Sequence, residues 1–487
     1  MSTASSTTSM VVAARNRRIG YGLGILVLFG IMWPYTEMLQ KLKQEKDLGE
    51  ATIGRIDTGG FMLKLAMIGG ARGIVANYLW NQARGYEKVH EWDKLKGTVD
   101  FITKLQPHFL SIWTYQGWNL AYNVSVEWDA PDDKYVWIKN GINFLKEGVS
   151  KNEKSPDLLW DTAWTYYHKI GFADEAIILR RLFYDDPDED RTDFRKDPMT
   201  NETRSDNFQV ANGWFSKAIE KVDDGESRVN TDLEKAVEYV DKPTQHKGRP
   251  GDLHFRTMPA HAQTRYAAAL EKQSVRDIPP KFGEFAKNEW ERALKAWVKF
   301  GEHKWPAFRF EEQMVQIDDS TNPEKLAKMT NEANYWTTRW ADQTNYRYWK
   351  DRALAEKDPE GVEARRLFYE GTKAFKSGRF YSEKGKDGKE LPGAADYYKQ
   401  GLAVWAGLLS RHKTFKVDDL NKKETRQYVR RYLMALKQSG EQEPDDFPFK
   451  DLLSGPQEDY APDPFDQLEM VRSGSSPVTR PAYDSPK

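Results

Sequence analysis

The chain has 487 residues, 73 Lys and Arg against 74 Asp and Glu, a formal charge of −1, and no cysteine. The balanced charge argues against a nucleic-acid binder, which carries a basic domain or stripe. The missing thiols exclude disulfide frameworks, CxxC redox chemistry, cysteine-bound zinc or iron–sulfur clusters and a thiol nucleophile.

Residues 1–18 form a short polar tail ending in Arg15, Arg17 and Arg18, and an uncharged run follows from Ile19 to Tyr35. These 17 residues reach the short end of what spans a bilayer as a helix, and Trp33 and Tyr35 stand where aromatics favour the headgroup level. The exit, Ile31 to Glu37, has no small-x-small cleavage site, so the run predicts an uncleaved single-pass anchor at 19–35. Arginines abutting its inner end favour a cytoplasmic N-terminus, with the body on the far side of the cytoplasmic membrane. Gly20 and Gly24 have the small-xxx-small spacing of a helix–helix contact. A linker, residues 36–59, leads to a second apolar stretch, Phe61 to Trp80. Lys64 and Arg72 lie inside that stretch, so it reads as a helix of the body.

From 60 to 440 apolar and aromatic residues recur three and four apart, which predicts an all-α body. Trp160, Trp164 and Tyr167 make one stripe; Phe282, Phe285, Trp290, Leu294 and Trp297 make another. Pro107, Pro131, Pro156 and Pro187 mark helix starts or connections. One pattern recurs: a small residue, a large one four later, a small one three further, then an aliphatic. It falls at Gly141/Leu145/Gly148/Val149, Ala211/Phe215/Ala218/Ile219, Ala286/Trp290/Ala293/Leu294 and Ala394/Tyr398/Gly401/Leu402. Small residues let helices approach while the large one fills the groove between them. Ala176 stands 35 residues from both Gly141 and Ala211, which suggests a repeat register.

With these residues the chain resembles the tetratricopeptide-repeat family, whose helix–turn–helix unit has about 34 residues. Leu79, Ala83, Tyr86 and Pro107 match one unit, although Gln82 and Leu95 depart from it. Trp113, Gly117 and Leu120 match a second, completed by Gly141, Leu145 and Gly148. Trp160, Tyr167 and Ala176 match a third, with Pro187 one residue early. Leu367, Gly371, Gly378 and Phe380 match near the C-terminus, and Ala394, Tyr398 and Gly401 resume after an insertion from Glu383 to Gly393. The arrangement also resembles membrane-anchored repeat proteins of planctomycete-type bacteria. The resemblance implies an α-solenoid of stacked hairpins that offers a groove to protein partners.

The body divides into an N-terminal array at 60–187, a polar loop at 188–206, a middle helical region at 207–310 and a C-terminal block at 322–439. After Gly440 the tail to 487 holds 8 of the 23 prolines and is expected to stay disordered, with Phe447, Phe449, Leu452 and Leu453 as a candidate docking motif.

No HExxH, GxSxG, GxxxxGK[ST] or strand-following GxGxxG occurs. His254 and His261 are the nearest approach to a ligand pair, but Pro259 between them predicts a helix start that would separate them. Asp185, Asp186, Asp188, Glu189 and Asp190 lack the glycine and glutamate spacing of a calcium loop. No residue is therefore assigned a catalytic, cofactor-binding or metal-ligating role. The 17 Trp, among them Trp113, Trp118, Trp160, Trp164, Trp290, Trp297, Trp336, Trp340 and Trp405, are expected mainly in helix packing. The expected function is a membrane-anchored, non-enzymatic scaffold for protein partners, without nucleic acid or cofactor. A glycan-acting or glycan-binding protein with an aromatic-lined cleft and a metal-handling protein are the alternatives.

Overall fold

A computed structural model describes residues 72–184, 186, 205–225, 250–271, 280–306, 314–385 and 388–454. The expected anchor at 19–35 and all of the acidic run except Asp186 lie outside the described residues. Among the described residues no helix is long and apolar enough to cross a membrane. The architecture is all-α, interrupted by two short antiparallel hairpins. The chain forms two compact units: one takes residues up to 127 together with 136–161, the other 128–135 and everything from 162 onward.

The first unit contains α1 (Arg72–Lys88), α2 (Trp92–Leu105), α3 (Leu110–Trp118) and most of α4 (Pro131–Lys151). Ala76 and Ala83 on α1 pack in one core with Leu95, Val99 and Ile102 on α2 and Ile112 on α3. The carbonyl of Pro107 ends the connection into α3 by accepting from Trp113 Nε1 at 2.8 Å and Asn152 Nδ2 at 2.9 Å. The expected small-residue seam is real between α3 and α4. A methyl group at Gly141 would stand 2.6 Å from the Gly117 carbonyl oxygen, and one at Gly148 would stand 2.8 Å from the Trp113 ring. Only glycine permits backbones that close.

α3 passes into a π-helical turn at Asn119–Asn123, and α5 (Pro156–Trp164) does the same at Thr165–Lys169. Both helices are nine residues long and begin 46 residues apart. At that spacing the buried positions coincide: Ile112 with Leu158, Gln116 with Thr162, Asn119 with Thr165, Leu120 with Tyr166, Val124 with Ile170. A stacked pair ends each, Trp118 with Tyr122 and Trp164 with His168. The 35-residue register drawn through Ala176 links places that are not equivalent. Ala176 opens α6 (Ala176–Tyr184), Gly141 lies inside α4, and Ala211 lies in the first turns of α7 (Asn207–Asp223). Small residues recur wherever helices approach closely, so their spacing alone does not fix a repeat length.

The second unit continues with α7, α8 (Pro250–Leu270) and α9 (Glu284–Gly301), then β1 (Lys304–Pro306) paired with β2 (Met314–Gln316). Asp206 and Gln209 close a capping box that starts α7. α8 corrects the reading of Pro259, which lies inside the helix and does not start it. A mid-helix proline removes one N–H and costs about 3 kcal/mol. Burial of Leu253, Phe255, Met258, Ala260, Ala262 and Ala267 on both sides of it outweighs that cost.

α10 (Pro323–Lys328), α11 (Asn331–Gln343), α12 (Tyr346–Glu356) and α13 (Pro359–Lys376) follow, then the β3 (Glu383–Lys384) and β4 (Glu390–Leu391) hairpin. α14 (Ala394–Arg411), α15 (Lys413–Val417) and α16 (Asp419–Ser439) complete the unit. α13 and α14 repeat the seam chemistry: a methyl at Gly401 would meet the Phe368 ring at 2.8 Å, and one at Gly371 would meet Tyr398 at 3.2 Å. The chain beyond Gly440 does not at once become featureless. Phe447, Phe449 and Leu453 pack on the main core, and Arg426 Nε donates to the Leu452 carbonyl at 2.8 Å.

Candidate functional site

Two polar constellations in the second unit are candidates for function, one sealed and one open. The sealed one begins with Arg365 on the apolar face of α13, one turn after Gly361 and one before Phe368. Its Nε donates to Glu356 at 2.9 Å, and its Nη1 donates to Glu424 at 2.9 Å and to Tyr428 at 3.2 Å. Glu356 is fully buried, and the guanidinium lies 4.5 Å from the Trp405 ring. Arg352, on α12, donates to the Tyr348 hydroxyl at 3.1 Å and sits 3.6 Å from both Glu356 and Glu424. Burial works against the charge on Arg365, and the Glu356 and Glu424 carboxylates outweigh it.

Glu271, at the end of α8, accepts from Trp290 Nε1 at 3.1 Å. Burial, reinforced by the Glu356 carboxylate, raises its carboxyl well above the ordinary range and favours its neutral form. The Arg352 and Arg365 guanidiniums face the Glu356 and Glu424 carboxylates and balance them in charge. The cluster's work is to fix α12, α13 and α16 against one another. Nearby, His412 Nδ1 lies 2.7 Å from Asp351, whose other oxygen accepts from the Phe415 backbone at 2.9 Å.

The open constellation follows the π-helical turn of α5. Trp164, His168 and Phe172 form a row at successive helical turns, with ring centroids 4.9 Å and 6.2 Å apart. Phe172 is 40% exposed. Behind the row, Tyr167 packs on Phe208 at 5.6 Å and on Phe215 at 6.0 Å. From α8, the Arg265 guanidinium lies 5.1 Å from the Phe172 ring and 5.7 Å from Trp349. His261 stands one turn earlier, edge-on to Trp297 at 4.8 Å and to Trp349 at 5.0 Å. Burial, with Arg265 and His254 adding to it, pushes His261 down to about 3, so its ring is neutral.

The candidates suggested by the sequence therefore separate. His254 and His261 do share one helix, but His261 is enclosed by tryptophans. Among the described residues no group of three His, Asp or Glu could hold a metal. Asp186, from the acidic run, accepts from the Tyr135 hydroxyl at 2.8 Å. Of the named tryptophans, Trp113, Trp290, Trp297, Trp340 and Trp405 are buried, whereas Trp118 is exposed. Trp297 and Trp405 each donate to a threonine on a neighbouring helix, Thr264 at 2.9 Å and Thr425 at 3.1 Å. Sequence reasoning missed Arg265, Arg352, Arg365, Glu356 and Glu424. The available signal was a charged residue at a core position of the helical period, as at Arg365.

Helical hairpins closed by small residues, with an aromatic row beside the Arg265 guanidinium, define an all-α class of protein with an open, aromatic-rich face. No protein-family profile matches the chain, and no curated protein matches it in sequence.

Proposed function

We propose that the chain is a helical-repeat scaffold that holds protein partners, tethered to the cytoplasmic membrane by residues 19–35 with its body outside the cytoplasm. The observation that carries this reading is the row Trp164, His168 and Phe172, set against a rigid helical core and left partly open to solvent. Aromatic residues on a pre-formed surface dominate protein interfaces. The glycine-closed hairpins α3–α4 and α13–α14 support a tetratricopeptide-like kinship, and the 46-residue correspondence between α3 and α5 supports repetition with a unit longer than that family's.

A photo-crosslinking phenylalanine analogue at position 172, in cells that make the full chain, tests the reading. Adducts with a defined protein, lost when Trp164→Ala is added, are expected. A second reading, glycan binding, draws on the same stacked rings, which offer flat faces to a sugar. Adducts only with envelope glycan would replace the first reading by the second.

A further inference from the structure

Arg180, Arg256, Arg352 and Arg365 each face a carboxylate in the second unit. Arg265 does not. Its Nε has no hydrogen-bond partner among the described residues, its guanidinium reaches the Tyr167 hydroxyl, and the rings of Phe172, Trp349 and His261 surround it. Ring faces return about 0.5–2 kcal/mol to a guanidinium. A carboxylate accepting two parallel N–H bonds satisfies its planar fork better. The ring of Phe172, 40% exposed, adjoins the guanidinium and continues into His168 and Trp164.

We propose that Arg265 and the Phe172–His168–Trp164 row form a binding site for a small aromatic carboxylate. The carboxylate takes the guanidinium fork, the Tyr167 hydroxyl donates to it, and the ligand ring lies against Phe172. The charge count favours a monoanion over phosphate. Arg265 supplies one positive charge, and desolvation keeps both His168 and His261 toward the neutral form. The frame is pre-organised, because Trp349 lies parallel to Trp297 at 5.9 Å and Tyr167 is wedged between Phe172 and Phe208. The site shares the Trp164, His168 and Phe172 row with the scaffold reading and adds Arg265 to it, so a lost preference for the acid and a lost protein adduct at position 172 are distinguishable failures.

Calorimetric titration of the full chain with naphthalene-2-carboxylate, its neutral carboxamide and inorganic phosphate tests the proposal. The carboxylate should bind at least about tenfold more tightly than the carboxamide, as a charge-assisted bidentate pair requires. Arg265→Gln should remove that preference, and Arg265→Lys should keep only part of it. Phe172→Ala should weaken acid and amide alike, with circular dichroism checking the fold of each variant. Equal binding of acid and amide, absence of measurable binding, phosphate binding as tightly as the carboxylate, or a preference that survives Arg265→Gln would each overturn it.

Discussion

Arg365 is held between Glu356 and Glu424, and all three are drawn from different helices of the second unit. Removing the guanidinium leaves the Glu356 and Glu424 carboxylates to share Arg352 alone, 3.6 Å from each. Arg365→Met should therefore cost about 3–5 kcal/mol, read as a lower urea midpoint. Restoring neutrality with Glu356→Gln in the same chain should recover part of the loss. Glu271 gives a prediction with a sign. Its folded carboxyl titrates above the unfolded value, so its contribution is complete at low pH and is lost as pH rises through the folded value. Glu271→Gln keeps an acceptor for Trp290 Nε1 and removes the titrating group. The variant should gain stability relative to the parent as pH is raised above about 4.5, the ordinary carboxyl value. Denaturation midpoints at pH 4, 6 and 8 that stay parallel for the two chains would refute this.

Helices pair in this protein through small residues, and the pairing is testable by adding one carbon. At Gly141 the new methyl would meet the Gly117 carbonyl and the Ala121 backbone nitrogen, neither of which can move aside cheaply. Gly141→Ala should destabilise by about 1–3 kcal/mol. Gly85, inside α1, has nothing within 4 Å of the same position, so Gly85→Ala should stabilise by about 0.5–1 kcal/mol. Thermal melts of the two variants should move in opposite directions. Proline acts at both levels: Pro131, Pro156, Pro323 and Pro359 open helices, where the missing N–H costs nothing. Pro259 is carried inside α8 by burial on either side.

On the scale of the whole molecule, the second unit extends past its last long helix. Phe447 lies 5.6 Å from the Tyr432 ring, and Phe449 adopts a positive φ of 65° while packing on the core. An aromatic residue accepts that backbone only where tertiary contacts hold it. The double change Phe447→Ala and Phe449→Ala should cost roughly 2 kcal/mol, about half of what two fully buried rings contribute. It should also speed amide exchange in α16. Unchanged exchange there would mean that the segment is not held by these rings.

The sequence by itself determined what is local. The three-and-four spacing specified helices, Pro131 and Pro156 marked two of their starts, and the Gly141/Leu145/Gly148 pattern marked a seam that the structure closes against Gly117 and Trp113. These signals are legible because helical periodicity and the absence of a side chain act within a few residues. The tertiary structure decided what depends on distant partners. Arg365 finds Glu424 59 positions away, Arg265 meets rings from α12 and from the end of the α5 segment, and α8 runs through Pro259 because of what packs beside it. It also replaced a 35-residue spacing with a 46-residue correspondence between α3 and α5. Periodicity says which face of a helix is buried; only the fold says which charge or ring waits on the other side.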